Sequence, residues 1–334
     1  MITNFVCLVL LYFVFICKEQ FSVGELNGAP EVRGVNLGGW LLVEGWIKPS
    51  LFDGIPNGDM LDGTKVQFKS VMLQKYMSIE NGGVSNITVG RDNASSWETF
   101  KLWRISEEIF QFQTLRGKFL TFDNEALIIS ATAESSTMAE NFLIERYQNK
   151  VHIKLLTMQI YLQTRSVYQL TAYYQGVPDW GDNAAPFDMI IFANDLHGDY
   201  QLANGYEPVK AKSVIKQHRD SFVTPEDFRF LSLHGINAVR IPVGWWIAQD
   251  PNPPAPFVGG TLAALDNAFL WAQAFGLKCI IDLHAAPASQ NEMEHSASRD
   301  DSSDWASNPS YISRSLVVID FLSSRCCVNS VTCP

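Results

Sequence analysis

The amino-acid sequence predicts an α/β chain whose parallel sheet is interrupted, after its first strand, by an inserted all-β module. Three short apolar patterns with strand character lie at residues 32–37, 236–243 and 277–284. Helix patterns follow the second and third of them, and alternating strands and helices predict a parallel sheet. Residues 64–192 instead carry repeats of alternating apolar and polar residues, which are typical of strands.

Composition narrows the functional classes. The chain has 334 residues, of which 47% are hydrophobic and 18% charged, and this is an ordinary globular mixture. The formal net charge of −10 argues against a nucleic-acid partner, because such a surface needs clustered Lys and Arg. A neutral partner such as a sugar is compatible with this charge.

Residues 1–24 predict a secretory signal peptide. The apolar run at residues 5–17 is too short to span a bilayer and suits a signal-peptide core. The alternative is a buried or amphipathic N-terminal segment. Sequons at Asn86 and Asn93 predict glycosylation if the chain is secreted. We therefore expect a secreted protein, extracellular or in the cell wall, with no stable membrane insertion after signal cleavage.

The cysteines predict neither a disulfide framework nor a metal site. Cys279 lies inside an apolar strand pattern and is interpreted as a buried, inert thiol. Cys326, Cys327 and Cys333 crowd the end of the chain. No CxxC pair and no Cys/His spacing indicates zinc, and we expect no metal and no cofactor.

The inserted module contains three copies of a repeat. Residues 75–81 match residues 118–124, a second block at 95–102 matches 136–143, and a weaker third copy starts at residue 160. Repeats of roughly 40 residues, each made of several short strands, predict a closed three-fold β structure. Such closure removes bare sheet edges. The pattern resembles the fascin-like β-trefoil family.

The flanking segments predict βα units. Thr224 and Pro225 form a helix start, with an N-cap followed by proline at the first helical position. Further helices are predicted at residues 262–275 and 311–322. The module is tethered at residues 49–62 and 197–214. The predicted divisions are the signal peptide at 1–24, the first strand and loop at 25–60, the insert at 61–200, the second and third βα units at 201–325, and a divergent tail at 326–334.

Polar or aromatic residues lie at the C-terminal ends of the three predicted strands, which is where parallel-strand barrels carry their catalytic and binding residues. Arg240 interrupts an apolar strand, and it predicts either a structural ion pair at the rim or a partner of a catalytic carboxylate. His284 is either a core histidine or a hydrogen-bonding partner of a sugar hydroxyl or a catalytic acid. Glu44 is placed to bind paired sugar hydroxyls. The tryptophans near these ends are core residues or walls of a sugar subsite: Trp40, Trp46, Trp245 and Trp246.

Three motifs in order, VNLGGW at 35–40, NAVRIPVG at 237–244 and DLHAAPASQN at 282–291, resemble glycoside hydrolase family 5. With the insert, they are most similar to the plant glucan 1,3-β-glucosidase group.

The resemblance implies a retaining β-1,3-glucan hydrolase on a (β/α)8 TIM barrel, of which this chain would hold the first three βα units. It places Arg240 beside the nucleophile and His284 at the glucose subsite, and it assigns the terminal glucose to Glu44 and Asn291. Trp46 and Trp245 are the expected aromatic walls. Ala288 stands where the family commonly has glycine.

Neither catalytic glutamate of that family is found in this sequence. The acid/base glutamate of the family follows an asparagine in an Asn-Glu-Pro context, and no such tripeptide occurs here. Residues 326–334 depart from the pattern and resemble a frameshift, a retained intron or an alternative exon. The sequence therefore predicts a chain that is truncated and inactive.

Two other functions stay open. The β-trefoil module could bind carbohydrate without catalysis, the rest of the chain being passive. The fascin likeness could also indicate an actin-bundling segment, but the predicted signal peptide argues against that.

Overall fold

A computed structural model describes residues 31–79, 85–164, 169–181 and 184–329, together with the backbone of Phe15–Ile16; side chains are described as far as Arg325. The chain divides into two compact units. Gly54–Leu196 form one, the ring unit, and Met1–Asp53 with His197–Pro334 form the other, the sheet unit. The insert was predicted at 61–200. Both boundaries of the ring unit lie a few residues before the predicted ones. Apart from residues 15 and 16, the predicted signal peptide lies outside the described residues.

The ring unit is built of strands in three successive groups of four. The first group is β3 (Lys65–Ser70), β4 (Tyr76–Ile79), β5 (Ile87–Arg91) and β6 (Phe100–Arg104). The second is β7 (Ile109–Thr114), β8 (Phe119–Asp123), β9 (Ile128–Ala133) and β10 (Phe142–Tyr147). The third is β11 (Lys150–Leu155), β12 (Ile160–Thr164), β13 (Leu170–Tyr174) and β14 (Phe187–Ala193).

The first and last strands of each group form a closed ring. The antiparallel pairs run β3–β6–β7–β10–β11–β14 and return from β14 to β3, where Phe187 is opposite Ser70. The two middle strands of each group form a hairpin. Every ring strand therefore has at least two hydrogen-bonded neighbours, which removes the exposed ladder of an edge strand.

One apolar core fills the ring unit. Phe68, Phe112 and Phe142 belong to it with exposures of 1% or less, and the ring of Phe112 contacts the rings of the other two. The repeat also fixes a buried polar position at the third residue of each group's first strand, where Gln67, Gln111 and His152 stand. The periodicity of the sequence and that of the structure therefore agree.

The sheet unit contains a sheet in the order β1–β16–β15–β2. β2 (Gly34–Asn36), β15 (Ala238–Gly244) and β16 (Lys278–Ala285) run parallel, as the sequence predicted. The backbone of β1 (Phe15–Ile16) pairs antiparallel with β16.

Four helices belong to this unit: α1 (Asp199–Phe222), α2 (Pro225–Leu233), α3 (Thr261–Phe275) and α4 (Pro309–Asn329). The last three correspond to predicted helices, but α4 continues through the first residues of the segment that was expected to diverge. Helix α1 was not predicted, and it includes most of the segment at 197–214 that was predicted to tether the insert. Gly205 and Pro208 obscure its helical pattern, and the helix is kinked at Glu207, whose φ is 62°.

The two faces of the parallel sheet differ in polarity. Val239, Ile241 and Val243 of β15 point to one face and are fully buried, together with Ile281 of β16. They pack with Phe228, Leu265 and other apolar residues of the helices. The opposite face carries the polar residues. Among the described residues, no helix is long and apolar enough to span a bilayer.

Candidate functional site

The polar face of the sheet brings together residues from all three parallel strands. Asn36 is the register partner of Arg240, which is itself opposite Ile280 of β16. Asp282 and His284 follow Ile280 at steps of two, so their side chains leave the same face. Polar groups of three strands therefore converge near the carboxyl ends, where parallel sheets carry their sites.

Arg240 is held by its neighbours on both sides. Its guanidinium donates to Asn36 Oδ1 at 2.8 Å and to Asp282 Oδ2 at 2.5 Å. Nη2, the nitrogen that donates to Asp282, also lies 3.2 Å from His284 Nδ1. The carboxylate partner of Arg240 in the structure is Asp282 of the adjacent strand. Sequence reasoning missed Asp282, although its two-residue spacing from His284 could have indicated it.

Asp282 also orients His284. His284 Nδ1 lies 2.8 Å from Asp282 Oδ2, so that carboxylate is shared by a guanidinium and an imidazole. The backbone oxygen of His284 accepts a hydrogen bond of 2.6 Å from Gln290 Nε2. With Nδ1 engaged, His284 Nε2 is the ring nitrogen left to face a ligand.

Glu44 lies in the loop after β2 and is fixed by glycines. Its Oε1 accepts a hydrogen bond of 3.1 Å from the backbone N–H of Gly39. A Cβ at Gly38 would stand 2.7 Å from Glu44 Oε1 and 3.2 Å from Asn36 Nδ2. Glycine at 38 therefore leaves the space in which Glu44 approaches Asn36.

Asn291 and His295 lie in the loop after β16. Asn291 Nδ2 is 2.8 Å from His295 Nε2, and the imidazoles of His295 and His284 have centroids 5.2 Å apart. Burial and, second, the neighbouring His284 lower the pKa of His295, while the charges of Glu294 and then Glu44 oppose this. His295 was not predicted as a site residue. No motif in the sequence around His295 marked it, although its partner Asn291 lies four residues earlier.

Together these residues form the polar wall: Asn36, Glu44, Arg240, Asp282, His284, Asn291 and His295. It offers carboxylate and amide acceptors beside guanidinium, amide and imidazole donors. Vicinal hydroxyl groups of a sugar need such alternation. Within the described part of the chain, no group of three or more His, Cys, Asp or Glu side chains is arranged to hold a metal ion.

The tryptophans separate into core and surface. Trp46 is 71% exposed and keeps an open face. Trp245 is 8% exposed, and the guanidinium of Arg314 lies 4.8 Å from its ring centroid. The expectation that Trp245 is an aromatic wall is therefore corrected, because its ring is packed in the core. Trp40 and Trp246, at 1% exposure, are core residues too.

Both predicted glycosylation asparagines are accessible. Asn86 and Asn93 are exposed residues of the ring unit, at one end of β5 and just after the other. A glycan at either position would not displace buried side chains.

Comparisons with family profiles match two parts of the chain. Residues 57–192 match a domain of unknown function (DUF7910), and residues 205–317 match cellulase (glycosyl hydrolase family 5). The second range contains Arg240, Asp282, His284 and the loop after β16. It does not include Glu44.

Similar proteins include fungal enzymes. The probable glucan 1,3-beta-glucosidase A of Aspergillus clavatus is 46% identical over 98 residues, which are 29% of this chain and 23% of that protein. The Aspergillus fumigatus protein of the same name is 48% identical over 87 residues, 26% of this chain and 21% of its own length. The glucan 1,3-beta-glucosidase of Kluyveromyces lactis is 37% identical over 123 residues, 36% and 26% of the two chains. The chain thus spans about a quarter of the length of these relatives.

Solved structures with partial similarity include the rutinosidase from Aspergillus niger and the designed three-fold symmetric protein ThreeFoil. The first has a TM-score of 0.32 and 22% identity and covers 37% of this chain and 34% of its own. The second has a TM-score of 0.32 and 11% identity and covers 38% and 97%.

Proposed function

We propose that the polar wall binds the terminal glucose of a β-1,3-glucan and that it is part of a retaining glycoside hydrolase site. The observation that carries the proposal is the convergence of Glu44, His284 and Asn291 at the ends of parallel strands. The family 5 match over residues 205–317 and the names of the fungal relatives support the same substrate class.

The wider architecture belongs to the same proposal. The three parallel strands and their helices are interpreted as the first three βα units of a (β/α)8 barrel. The ring unit is interpreted as a fascin-like β-trefoil inserted after the first strand, as in the plant glucan 1,3-β-glucosidase group. The closed ring and its three hairpins support this interpretation.

The chemistry explains why we expect binding without turnover. Retaining hydrolysis uses two carboxyl groups about 5 Å apart, one as nucleophile and one as acid/base. In the polar wall, Asp282 is already engaged by Arg240 and His284. The sequence holds no Asn-Glu-Pro tripeptide that would supply the acid/base. The residues of the polar wall therefore provide groups that bind and orient the sugar.

The proposal extends to secretion and glycosylation of the protein. The apolar run at residues 5–17 and the exposed Asn86 and Asn93 favour a secreted glycoprotein acting at cell-wall polysaccharide. Treatment of the secreted protein with a glycosidase that removes N-linked glycans should lower its mass. No mass change would count against glycosylation.

Calorimetric titration of the full chain with laminaribiose tests the main proposal. We expect saturable binding, weaker binding of maltose, whose linkage is α-1,4, and no hydrolysis of an aryl β-glucoside. Absence of heat with laminaribiose would refute the proposed binding. Hydrolysis at a rate typical of glycosidases would refute the proposed inactivity.

A second candidate function is carbohydrate binding by the ring unit. Tyr147 is 54% exposed, and its ring centroid lies 5.7 Å from that of Trp180, which stacks on His152 at 3.7 Å. Adjacent aromatic rings of this kind can stack on a pyranose. If Tyr147→Ala abolishes glucan binding by the full chain while Glu44→Gln does not, the binding site is in the ring unit.

A further inference from the structure

The chain re-enters the sheet unit at residues 197–201, and these residues contact both loops of the polar wall. On one side, the N–H of Gly45 donates to the backbone oxygen of His197 at 2.8 Å, and Glu44 forms a backbone bridge with Gly198. This contact holds the backbone of Glu44 itself.

Asp199 extends that contact with its side chain. Its Oδ2 accepts a hydrogen bond of 2.6 Å from the backbone N–H of Val43, and the residue is 3% exposed. A buried carboxylate thus takes the place of a backbone acceptor beside Glu44. A hydrogen bond to a charged group in such surroundings is stronger and more directional than one between neutral groups.

The other side of the segment contacts the loop that carries His295. Gln201 is fully buried, and its Nε2 donates to the backbone oxygens of Ser298 at 2.9 Å and Arg299 at 3.0 Å. A Cβ at Gly198 would stand 2.3 Å from the backbone oxygen of Glu294. The absence of a side chain at 198 therefore lets this loop approach closely.

We propose that Asp199 and Gln201 are positioning residues, which fix Glu44 and His295 relative to each other across the polar wall. Asp199 acts on the loop of Glu44, and Gln201 acts on the loop of His295. Neither residue belongs to the wall. The consequence for sugar binding rests on the proposed function, but the positioning itself does not.

The imidazole of His295 reports on both loops without any ligand. Burial and the neighbouring His284 lower its pKa, and the charges of Glu294, on its own loop, and of Glu44, on the other loop, raise it. Asp199→Ala should release Glu44 and lower the pKa of His295 further. Gln201→Met should loosen the loop of His295, reduce its burial and raise the pKa towards the ordinary value of 6.5. Loss of structure alone would move both variants in the same direction, towards 6.5.

NMR titration of the full chain measures these shifts. Asp199→Asn keeps an oxygen acceptor for the Val43 N–H and should restore the pKa of His295 to that of the unaltered chain. Asp227→Ala is the matched control, because it removes a carboxylate that accepts a backbone hydrogen bond of 2.8 Å from Thr224, at the start of α2. If Asp199→Ala does not fold, Asp199→Thr, whose hydroxyl is too short to reach Val43, takes its place with the same expected direction.

The proposal is overturned if the two variants shift the pKa of His295 in the same direction, or if neither differs from the Asp227→Ala control. Laminaribiose binding forms a separate arm, in which Asp199→Ala should weaken the affinity about tenfold, the equivalent of one partly lost hydrogen-bonding group. Opposite pKa shifts without sugar binding by the unaltered chain would refute the proposed function and leave the positioning intact.

Discussion

The ring unit and the sheet unit use buried polar residues differently. In the ring unit, Gln67 and Gln111 occupy equivalent positions and hydrogen-bond to Thr99 and to Ser136 and Asn141 of their own repeats. In the sheet unit, Arg240, Asp282 and His284 bond to one another on a partly open face. Repeated polar residues that bond inside their own repeat stabilise a fold, whereas polar residues that converge from separate strands form a site.

The two units also differ in how their strands are paired. Ring strands have at least two hydrogen-bonded neighbours each, while β2 pairs only with β15 in the part of the chain that the structure describes. Each unit also has its own apolar cluster. We therefore expect the two units to differ in how they respond to substitutions.

The largest expected effect follows from truncating the centre of the ring unit. Phe112 is 1% exposed and contacts Phe68 and Phe142, so Phe112→Ala should destabilise this unit by about 3–5 kcal/mol. Hydrogen exchange should show loss of protection in β6 and β7 and unchanged protection in β15 and β16. Equal loss in both units would contradict the idea of separate cores.

A smaller effect is expected from Asp199 in the sheet unit. Burial raises the pKa of Asp199 from 3.8 to about 6, against the Val43 N–H and the charge of Arg219. An acid with a raised folded pKa stabilises the fold below its unfolded pKa, and this contribution is lost as the pH rises through the folded pKa. Between pH 4 and 6 the loss should reach about 2 kcal/mol.

The comparison with Asp199→Asn isolates that contribution, because other titrating groups cancel. The variant should gain stability relative to the unaltered chain as the pH rises from 4 to 6, in chemical denaturation followed at both values. A pH-independent difference would show that the carboxylate is already ionised at pH 4.

Part of this molecule could be predicted from sequence, and part could not. The three parallel strands, their following helices and the repeats follow local periodicity, and the structure confirms their positions. The family 5 match confirms the resemblance for residues 205–317. The Arg240–Asp282 pair and the place of His295 depend on register and loop conformation, which no local pattern encodes. Trp245 was mistaken because a strand-end position does not reveal whether a ring is covered.

A change of about 1 kcal/mol is expected in the loop after β16. Ala288 has a φ of 59°, a left-handed conformation that costs a residue with a Cβ roughly 1 kcal/mol relative to glycine. Ala288→Gly should therefore raise the melting temperature slightly. Ala286→Gly is the control. Ala286 is buried and its φ is not positive, so its replacement by glycine should lower stability. A decrease for both would contradict the assigned strain.

The smallest expected effect concerns His152, which stands in the ring unit at the position equivalent to Gln67 and Gln111. Burial lowers the pKa of His152, so its contribution to stability is complete above pH 6.5 and is lost as the pH falls below that value. His152→Gln, which introduces the residue found at positions 67 and 111, should flatten the stability of the ring unit between pH 7 and 5. An unchanged slope would show that His152 is not the group that responds.

The central claim is that Glu44 and the polar wall bind the terminal sugar of a β-1,3-glucan. Titration of laminaribiose into the full chain, into Glu44→Gln and into the exposed control Glu226→Gln tests it most directly. We expect Glu44→Gln to weaken binding by at least about tenfold, because a charged acceptor is replaced by a neutral one, and Glu226→Gln to leave it unchanged. Equal affinities for all three proteins, or no binding by any of them, would contradict the claim.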